Sequence, residues 1–461
     1  TETYSKKASG EISSSFGSFN SNKNTVKFST GLMNDHFEIA GRLSTLKSDG
    51  YVDRASSNLK SYFLQGTYVG NTTLIKALAF GGTEKTYQSW NGIDAATIET
   101  DRTFNSAGMF TDEFGQTRFY DNETDNYQQD HFQLHWNEKI ATNWNTNLAV
   151  FYSKGKGFYE NYKENAKFSG YGLTPIIIGG TTINKTDLIR QKWLDNDFYG
   201  TTFSANYKDE KLDVILGGGY NKYEGSHFGK IIWARYASTS ELEDRYYNDA
   251  ASKTDGNIFA KANYQVAEKL SLFADLQLRN VHYKANGAET GVVNANFNFF
   301  NPKAGLNLEI NENNQLYASY ARANREPNRT DYKNGSPRPE KLNDFELGLR
   351  HVSTKVKVNA NMYYMAYKDQ LILTGELDDV GAPIRKNSGD SYRLGLEIDA
   401  TVAVLNNLII RPNVTISTNK NKDFFFKRDG VLTSLGDTNI AFSPDFIAGN
   451  IVSFVPVKNL Q

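Results

Sequence analysis

The sequence has 461 residues with 51 basic and 52 acidic side chains, and its net charge of −1 leaves no basic footprint for nucleic acid. It contains no cysteine, which excludes disulfides, thiolate metal ligands and thiol nucleophiles. Mean hydropathy is −0.56, and the apolar run at residues 175–178 falls far short of the about 20 residues of a membrane helix.

The chain is long enough for several soluble domains or for one very large β-structure. Aromatic residues make up 13% of it, with 27 Tyr and 29 Phe against 9 Pro and 4 Met. Aromatic side chains are enriched in strands, and helical spacing of apolar residues is scarce. The composition therefore favours an all-β protein.

Apolar and polar residues alternate with a period of two along most of the chain. The first clear example is residues 131–136, where Phe132, Leu134 and Trp136 oppose His131, Gln133 and His135. Residues 269–279 and 393–404 repeat the pattern, with apolar residues on one face and mostly polar or charged residues on the other. Such runs predict about eighteen strands of about ten residues, a length typical of transmembrane strands.

The connections between these strands fall into two alternating classes. Tight turns are predicted near residues 34–35, 70–71, 142–145, 208–211, 268–269, 311–314, 353–354 and 406–407. Long polar connections are predicted at residues 47–58, 83–129, 155–197, 223–256, 284–296, 324–340, 368–390 and 420–444. The first connection, at residues 18–24, is short where a long one is expected. Because long and short connections alternate after this point, all the long connections lie at the same end of an up-and-down meander.

This pattern predicts a transmembrane antiparallel β-barrel with its long loops on the extracellular side, because a closed barrel satisfies every backbone polar group within the membrane. The apolar face contacts lipid and the polar face lines a lumen. A soluble β-propeller or sandwich is the alternative, although shorter and more evenly spaced strands are typical of those folds.

Several motifs in this strand context resemble the TonB-dependent outer-membrane receptors. These are YASYARANREP at residues 317–327, PRPEKLNDFELG at 337–348, NSGDSYRLGLE at 387–397 and FSPD at 442–445. The resemblance covers essentially the whole chain. It implies a 22-stranded barrel with an N-terminal plug, driven by the TonB–ExbB–ExbD complex, in the cell outer membrane of a Gram-negative bacterium.

The sequence departs from that family pattern at both ends. Residues 1–9 are interpreted as the end of the plug or its linker, and residues 10–461 as a barrel that is incomplete at its C-terminus. The plug is expected to be absent from this chain, and about four closing strands are expected beyond residues 457–459.

Candidate ligand contacts are bulky aromatic residues of the long connections and the arginines near residue 325. They are Arg325, Arg329, Trp90, Phe110, Tyr159, Tyr162, Trp233 and Tyr236. Packing of the loops against themselves is an equally good explanation for the aromatic residues. Strand parity sends Tyr320 and Arg322 to the lipid side, where Arg322 reaches head-group phosphates, and sends Arg325 inward.

Charged residues and histidines on the polar faces are expected to line the lumen and contact the plug. They are Arg279, Asp275, Arg393, Glu397, Asp399, His131 and His135. His131 and His135 have a spacing that suggests a metal site, but no third ligand is indicated and we interpret both as lumenal. We expect no metal, no cofactor and no enzymatic activity, since the remaining histidines carry no catalytic motif.

The primary functional expectation is import of a scarce, large nutrient such as an iron–siderophore complex. Expected partners are the TonB complex, reached through the plug, outer-membrane lipid and lipopolysaccharide, a surface lipoprotein, and a small-molecule or metal-complex ligand. The alternatives are a passive porin, in which the eighteen strands would themselves close, and a secreted glycan-binding β-protein.

Overall fold

The structure is a computed structural model that describes residues 4–377, 383–428 and 431–457. Its main sheet has nineteen strands, one of which is the two-residue segment Thr438–Asn439, so eighteen are long. This number confirms the prediction. The long strands are β1 (Ser9–Gly17), β2 (Ser21–Ser29), β3 (Phe37–Ser48), β4 (Ser57–Val69), β5 (Thr73–Tyr87), β6 (Thr124–Ala141), β7 (Trp144–Lys167), β8 (Lys185–Lys208), β9 (Leu212–Ala234), β10 (Arg245–Ala267), β11 (Leu270–Gly287), β12 (Gly291–Asn311), β13 (Asn314–Arg325), β14 (Glu340–Val352), β15 (Val356–Lys368), β16 (Asp390–Leu405), β17 (Leu408–Asn421) and β18 (Phe446–Phe454).

Each long strand pairs antiparallel with the next one along the chain, which gives a simple meander. All eight predicted tight turns join consecutive strands. The turn before β3 places Asn34 and Asp35 at positive φ, a conformation that these two residue types tolerate well. Over the described residues, β1 pairs only with β2 and β18 only with β17, so the eighteen strands do not close on themselves.

One face of the sheet, the outer face, carries a continuous apolar belt. Alternate residues of β11 such as Leu276 and Leu278 are about half exposed on this face, as expected for side chains that meet lipid rather than a protein core. Aromatic residues border the belt at two levels. The upper level holds Phe132, Tyr152, Tyr199, Tyr220 and Phe300, and the lower level holds Trp136, Trp144, Tyr207 and Tyr264. We call the opposite face of the sheet the inner face.

Strands β7 to β12 are far longer than the expected ten residues. β7 and β8 have 24 residues each, and most of the predicted long connections at residues 155–197, 223–256 and 284–296 are in fact strand. Above the upper aromatic level the outer face becomes charged, with Lys154 bonded to Asp195 at 2.7 Å and Lys222 bonded to Glu224 at 2.7 Å. The predicted strand lengths were wrong here because the alternation of apolar and polar residues ends at the edge of the lipid layer, whereas the hydrogen-bonded pairing of the strands continues beyond it into water.

The shorter elements lie in the connections at the extracellular end. Helix α1 (Ala95–Thr100) and helix α2 (Arg329–Lys333) begin at the N-caps Asp94 and Asn328, and α2 has a full capping box. Four small hairpins join Met109–Thr111 to Thr117–Phe119, Ile176–Ile178 to Thr181–Ile183, Leu371–Leu377 to Pro383–Asn387 and Phe425–Arg428 to Val431–Ser434. A 3₁₀ turn spans Phe168–Tyr171. Among the described residues, no helix combines the length and apolar character needed to cross a membrane.

Some predictions concern residues outside the described ranges. They include residues 1–3 of the plug or linker segment, residues 378–382 and 429–430 of two predicted long connections, and residues 458–461 at the predicted start of the closing strands.

Candidate ligand-binding site

Tyrosines line the inner face of the strand extensions above the membrane belt. We call Tyr127, Tyr159, Tyr223, Tyr247 and Tyr283 the tyrosine wall. Strand parity puts all five on the inner face of β6, β7, β9, β10 and β11, and each except Tyr283 is partly accessible. The wall is therefore a concentrated set of ring faces and hydroxyl groups at the extracellular end.

Small residues opposite the rings create space for this wall. Tyr127 is the cross-strand partner of Gly157, and Tyr247 is the partner of Gly229. A Cβ at Gly157 would lie 2.7 Å from Cδ2 of Tyr127, and one at Gly229 would lie 2.5 Å from Cε1 of Tyr247. These glycines let the rings lie flat across the neighbouring strand.

Burial keeps three hydroxyls of the wall uncharged. It raises the pKa of the hydroxyls of Tyr223, Tyr247 and Tyr283, so these phenols stay protonated and can donate hydrogen bonds at neutral pH. The hydroxyl oxygen of Tyr283 is buried and has no hydrogen-bond partner within the described structure. Burial, and then the charge of Arg329, lowers the pKa of His227, which therefore stays neutral as well.

Arg329 brings positive charge to this wall. Its Nη2 lies 3.3 Å from Oδ2 of the buried Asp249 and 3.9 Å from Oε2 of Glu289, and about a third of its side chain remains exposed. The next turn of α2 places Tyr332 in a stack with Tyr283, with ring centroids 5.5 Å apart. The loop after β13 thus folds over the inner face.

The loop is held there by a buried ionic cluster. Arg279 donates two hydrogen bonds to Glu326, at 2.9 and 3.0 Å, and contacts Asp255 at 2.6 Å. Lys253 also bonds to Glu326, whose side chain is only 7% exposed. Arg279 therefore points inward, as predicted, and its bonds to Glu326 connect β11 to the loop that carries Arg329.

The arginines of residues 322–338 do not form one site. Arg325 makes a two-point ion pair with its cross-strand partner Glu340, with Nε–Oε1 at 2.8 Å. Arg338 bonds to Asp369 at 2.6 Å. Arg322 points to the outer face beside Asn343, so Arg329 is the one member of this group that reaches the tyrosine wall.

The aromatic candidates are divided among three places. Trp90 contacts Tyr159 of the wall edge to face, at 6.1 Å. Phe110 of a small hairpin, Tyr162 of β7 and Trp233 of β9 form a row on the outer face, with ring-centroid separations of 4.3 and 6.3 Å. A register shift in the β8–β9 pairing brings Trp233 opposite Ile189 and so onto the face of Tyr162. Tyr236 packs against a small loop core of Phe168, Leu173, Leu188 and Ile231.

The remaining inner-face candidates lie lower on the sheet. His131 bonds through Nδ1 to Ser153 at 2.6 Å and stacks on Phe80, while His135 bonds to Gln133. The other contacts are Asp275 to Lys303 at 3.9 Å, Arg393 to Ser443 at 2.8 Å, Asp399 to Asn359 at 3.2 Å, and Glu397 beside its cross-strand neighbour Asn361.

Tyr127, Tyr223 and Tyr283 of the wall are not among the candidates predicted from the sequence. A signal in the sequence could have found them. Each of these tyrosines lies an even number of residues from the polar, inward-facing residues of its own strand, at a position beyond the last apolar residue of the opposite face. The predicted loop boundaries assigned these positions to strand ends or loop, where parity does not apply.

An antiparallel meander with an apolar belt of membrane height, tight turns at one end and a partly accessible tyrosine wall at the other is typical of outer-membrane β-barrels. The chain belongs to the family described as TonB dependent receptor-like, beta-barrel, whose model matches residues 67–456. Members of this family are proteins of the Gram-negative outer membrane, and they are transporters rather than enzymes.

Known proteins similar to this chain include the ferric-pyoverdine 358 receptor of Pseudomonas putida, with 23% identity over 415 residues, or 82% of this chain and 48% of that receptor. The copper transporter OprC is 14% identical, with a TM-score of 0.66 over 91% of this chain and 63% of that one. The ferric-catecholate import receptor Fiu from E. coli K12 is also 14% identical, with a TM-score of 0.66 over 98% and 70%. The chain thus spans about half the length of the curated relative, and the structural similarities establish the shared fold.

Proposed function

We propose that this chain is the ligand-binding barrel of an outer-membrane receptor that imports an iron–siderophore-type complex with energy supplied through TonB. The observation that carries the proposal is the tyrosine wall with Arg329 at its centre, on the inner face above the membrane. The sequence similarity to a ferric-pyoverdine receptor supports the same class of ligand.

The chemistry of the wall suits a bulky, anionic chelate. Ring faces bind the apolar surface of the chelate, neutral phenols donate hydrogen bonds to its oxygens, and the guanidinium of Arg329 attracts its negative charge. Trp90, in contact with Tyr159, extends the same surface outward. Arg325, Phe110, Tyr162, Trp233 and Tyr236 contribute by shaping the surrounding loops, and direct contact with the ligand is proposed for Trp90, Tyr159 and Arg329.

Coupling to TonB is proposed to run through a plug that precedes this chain. The segment before β1 lies against the inner face, where the backbone N–H of Ser5 donates to Oε1 of the buried Glu38 at 2.9 Å. This contact supports residues 1–9 as the end of a plug or linker and residues 10–461 as barrel. The plug would meet Arg279, Asp275, Arg393, Glu397, Asp399, His131 and His135 inside the lumen.

A passive porin agrees less well with the structure. Within the described ranges β1 and β18 are not paired with each other, so eighteen strands form no closed pore. Family membership also argues against a secreted glycan-binding protein. Import by a TonB-dependent receptor agrees with both the open sheet of eighteen strands and the family membership.

The test is uptake of iron by cells that produce the full-length receptor. The probes are ⁵⁵Fe-loaded pyoverdine and a ⁵⁵Fe–catecholate complex, supplied with and without a protonophore that collapses the proton-motive force. We expect energy-dependent uptake of at least one probe, reduced about tenfold or more by Y159A combined with Y247A, because ring contacts and hydrogen bonds to the ligand from two partly accessible wall tyrosines are lost together. The matched control is Y51A, which removes an exposed loop tyrosine remote from the wall. Uptake that ignores the protonophore, or falls equally in Y51A, contradicts the proposal.

A further inference from the structure

A row of small residues crosses the inner face within the tyrosine wall, and we call this row the trough. Cross-strand pairing aligns its members on five neighbouring strands, β7 to β11, in the order Gly155, Asn196, Gly225, Ala251 and Ala285. At about 4.8 Å between neighbouring strands, the trough is roughly 19 Å long. Because four of its five side chains are a hydrogen or a methyl group, a flat group can lie close to the backbone there.

Two hydroxyl groups of the wall point into the trough on either side of Asn196. A Cβ at Gly155 would collide with the hydroxyl oxygen of Tyr127 and lie 2.6 Å from Oδ1 of Asn196. A Cβ at Gly225 would collide with the hydroxyl oxygen of Tyr223. Since Gly155 and Gly225 are the two cross-strand partners of Asn196, its amide lies between the two phenol groups.

These polar groups have no partners within the described part of the chain. Asn196 is 8% exposed, and its Oδ1 is buried without a hydrogen-bond donor. The hydroxyls of Tyr127 and Tyr223 make no hydrogen bond to another described residue. The hydroxyl of Tyr283, which precedes Ala285 by two residues on β11, is also buried and unpaired. Buried polar groups in folded proteins nearly always have a partner, so the trough is expected to bind one.

The chemistry of the trough favours an uncharged group that has both a donor and an acceptor. The five residues of the trough include no ionisable side chain, and burial raises the pKa of Tyr127 and Tyr223, whose hydroxyls therefore stay protonated. A carboxylate would find no cation in the trough and would place its oxygens against Oδ1 of Asn196. An amide fits, because its N–H can donate to this Oδ1 while its carbonyl oxygen accepts from a tyrosine hydroxyl.

We infer that the trough is a second subsite of the receptor, which binds secondary amide groups in the linkers of the imported chelate while Arg329 binds the charged part. One chelate can reach both subsites, since the charge of Arg329 acts on the hydroxyls of Tyr223 and Tyr283. The inference rests on the proposed import function and concerns which chelates the site selects. Chelates joined through amides are preferred over chelates joined through esters, because an ester has no N–H and turns an oxygen toward Oδ1 of Asn196.

The experiment measures the affinity of the purified full-length receptor for two synthetic ferric tris-catecholates by isothermal titration calorimetry. The two chelates carry the same charge and differ in their linkers, which contain secondary amides in one and esters in the other. N196L removes the amide of Asn196 with little change in side-chain volume, and Y127F/Y223F removes two oxygen atoms. The matched control Y220F/Y264F removes two exposed hydroxyls of the outer face. Resistance of the folded barrel to SDS at room temperature confirms folding of every variant.

We expect the wild type to bind the amide-linked chelate about tenfold more tightly than the ester-linked one, because the ester leaves Oδ1 of Asn196 unpaired. N196L should reduce this preference to within about twofold, since the group that distinguishes the linkers is gone. Y127F/Y223F should weaken the binding of both chelates by about fivefold for each hydrogen bond lost, because both linkers contain a carbonyl group. R329Q should weaken both chelates equally and leave the preference intact.

Three outcomes would overturn the subsite while leaving the import function in place. They are equal affinities of the wild type for the two chelates, a preference that survives N196L, and an equal loss of affinity in Y220F/Y264F. The first two would mean that the trough holds ordered water or plug residues in place of the ligand. Failure of the wild type to bind either chelate would instead contradict import of this class of ligand, and the subsite with it.

Discussion

Glu326 is predicted to hold the loop that carries Arg329 against the inner face. The perturbation is E326Q, which keeps the shape of the side chain and removes its charge. In the wild type Glu326 accepts two hydrogen bonds from Arg279 and one from Lys253. The substitution leaves Arg279 with its contacts to Asp255.

The magnitude follows from burial. A charge-assisted hydrogen bond contributes about 1.5–3 kcal/mol, and Glu326 and Arg279 have side chains that are 7% and 21% exposed. Lys253 is 36% exposed, so solvent screens its share. Because Arg279 keeps Asp255 as a partner, we expect a net local loss of about 2–3 kcal/mol.

Amide hydrogen exchange of the full-length receptor measures this loss. A cost of about 2–3 kcal/mol raises the population of the open loop, so protection of the α2 amides should fall roughly 30- to 150-fold. The control is E340Q at the other end of the loop, where the partner Arg325 is 51% exposed and the expected effect is below about 1 kcal/mol. Unchanged protection in E326Q, or an equal loss in E340Q, would refute the assignment of Glu326 as the anchor of the loop.

Three further predictions address the wall and its supports. G229A should displace the rings of both Tyr246 and Tyr247, whose atoms lie 2.2 and 2.5 Å from the added Cβ, and weaken ligand binding about tenfold without loss of folded barrel. In G66A the added Cβ meets open space, so this variant should bind ligand as the wild type does. Folding lowers the pKa of His227 below its value in the unfolded chain, so the unfolded chain takes up the proton first and stability should fall as the pH drops below about 6.5. The variant H227N should therefore show a smaller change in melting temperature between pH 7.5 and pH 5 than the wild type. An identical change in the two proteins would contradict this role of His227. F168A removes a side chain that is 1% exposed from the loop core and should cost about 3–5 kcal/mol locally, seen as faster proteolytic cleavage within residues 168–184 while the barrel stays resistant.

Much of the barrel can be predicted because the membrane imposes a repeating local rule. Lipid requires an apolar side chain at every second residue, as in the run from Leu270 to Leu278, and the turn before β3 carries Asn34 and Asp35, which tolerate positive φ. The number of strands and the direction of Arg279 follow from this rule alone. Above the membrane both faces of a strand can be polar, so the alternation of apolar and polar residues stops although the strand continues. The length of β7 to β12 therefore depends on backbone pairing, which cannot be read from the side-chain pattern.

The candidate site is the least predictable part, because its residues are distant in sequence. Tyr127 and Tyr283 come within one wall only after the strands between them have paired. The choice among the arginines was also decided by partners: Glu340 takes Arg325, while Asp249, 80 residues before Arg329 in sequence, holds that guanidinium at the wall.

By itself the sequence determined the all-β meander, the alternate residues that face lipid and the resemblance to TonB-dependent receptors, because each of these depends on residues that are close together along the chain. Only the tertiary structure decided which polar residues meet and how far the strands rise above the membrane. The physical reason is that ion pairs and ring contacts depend on distances across strands, and those distances exist only once the register of the sheet is set.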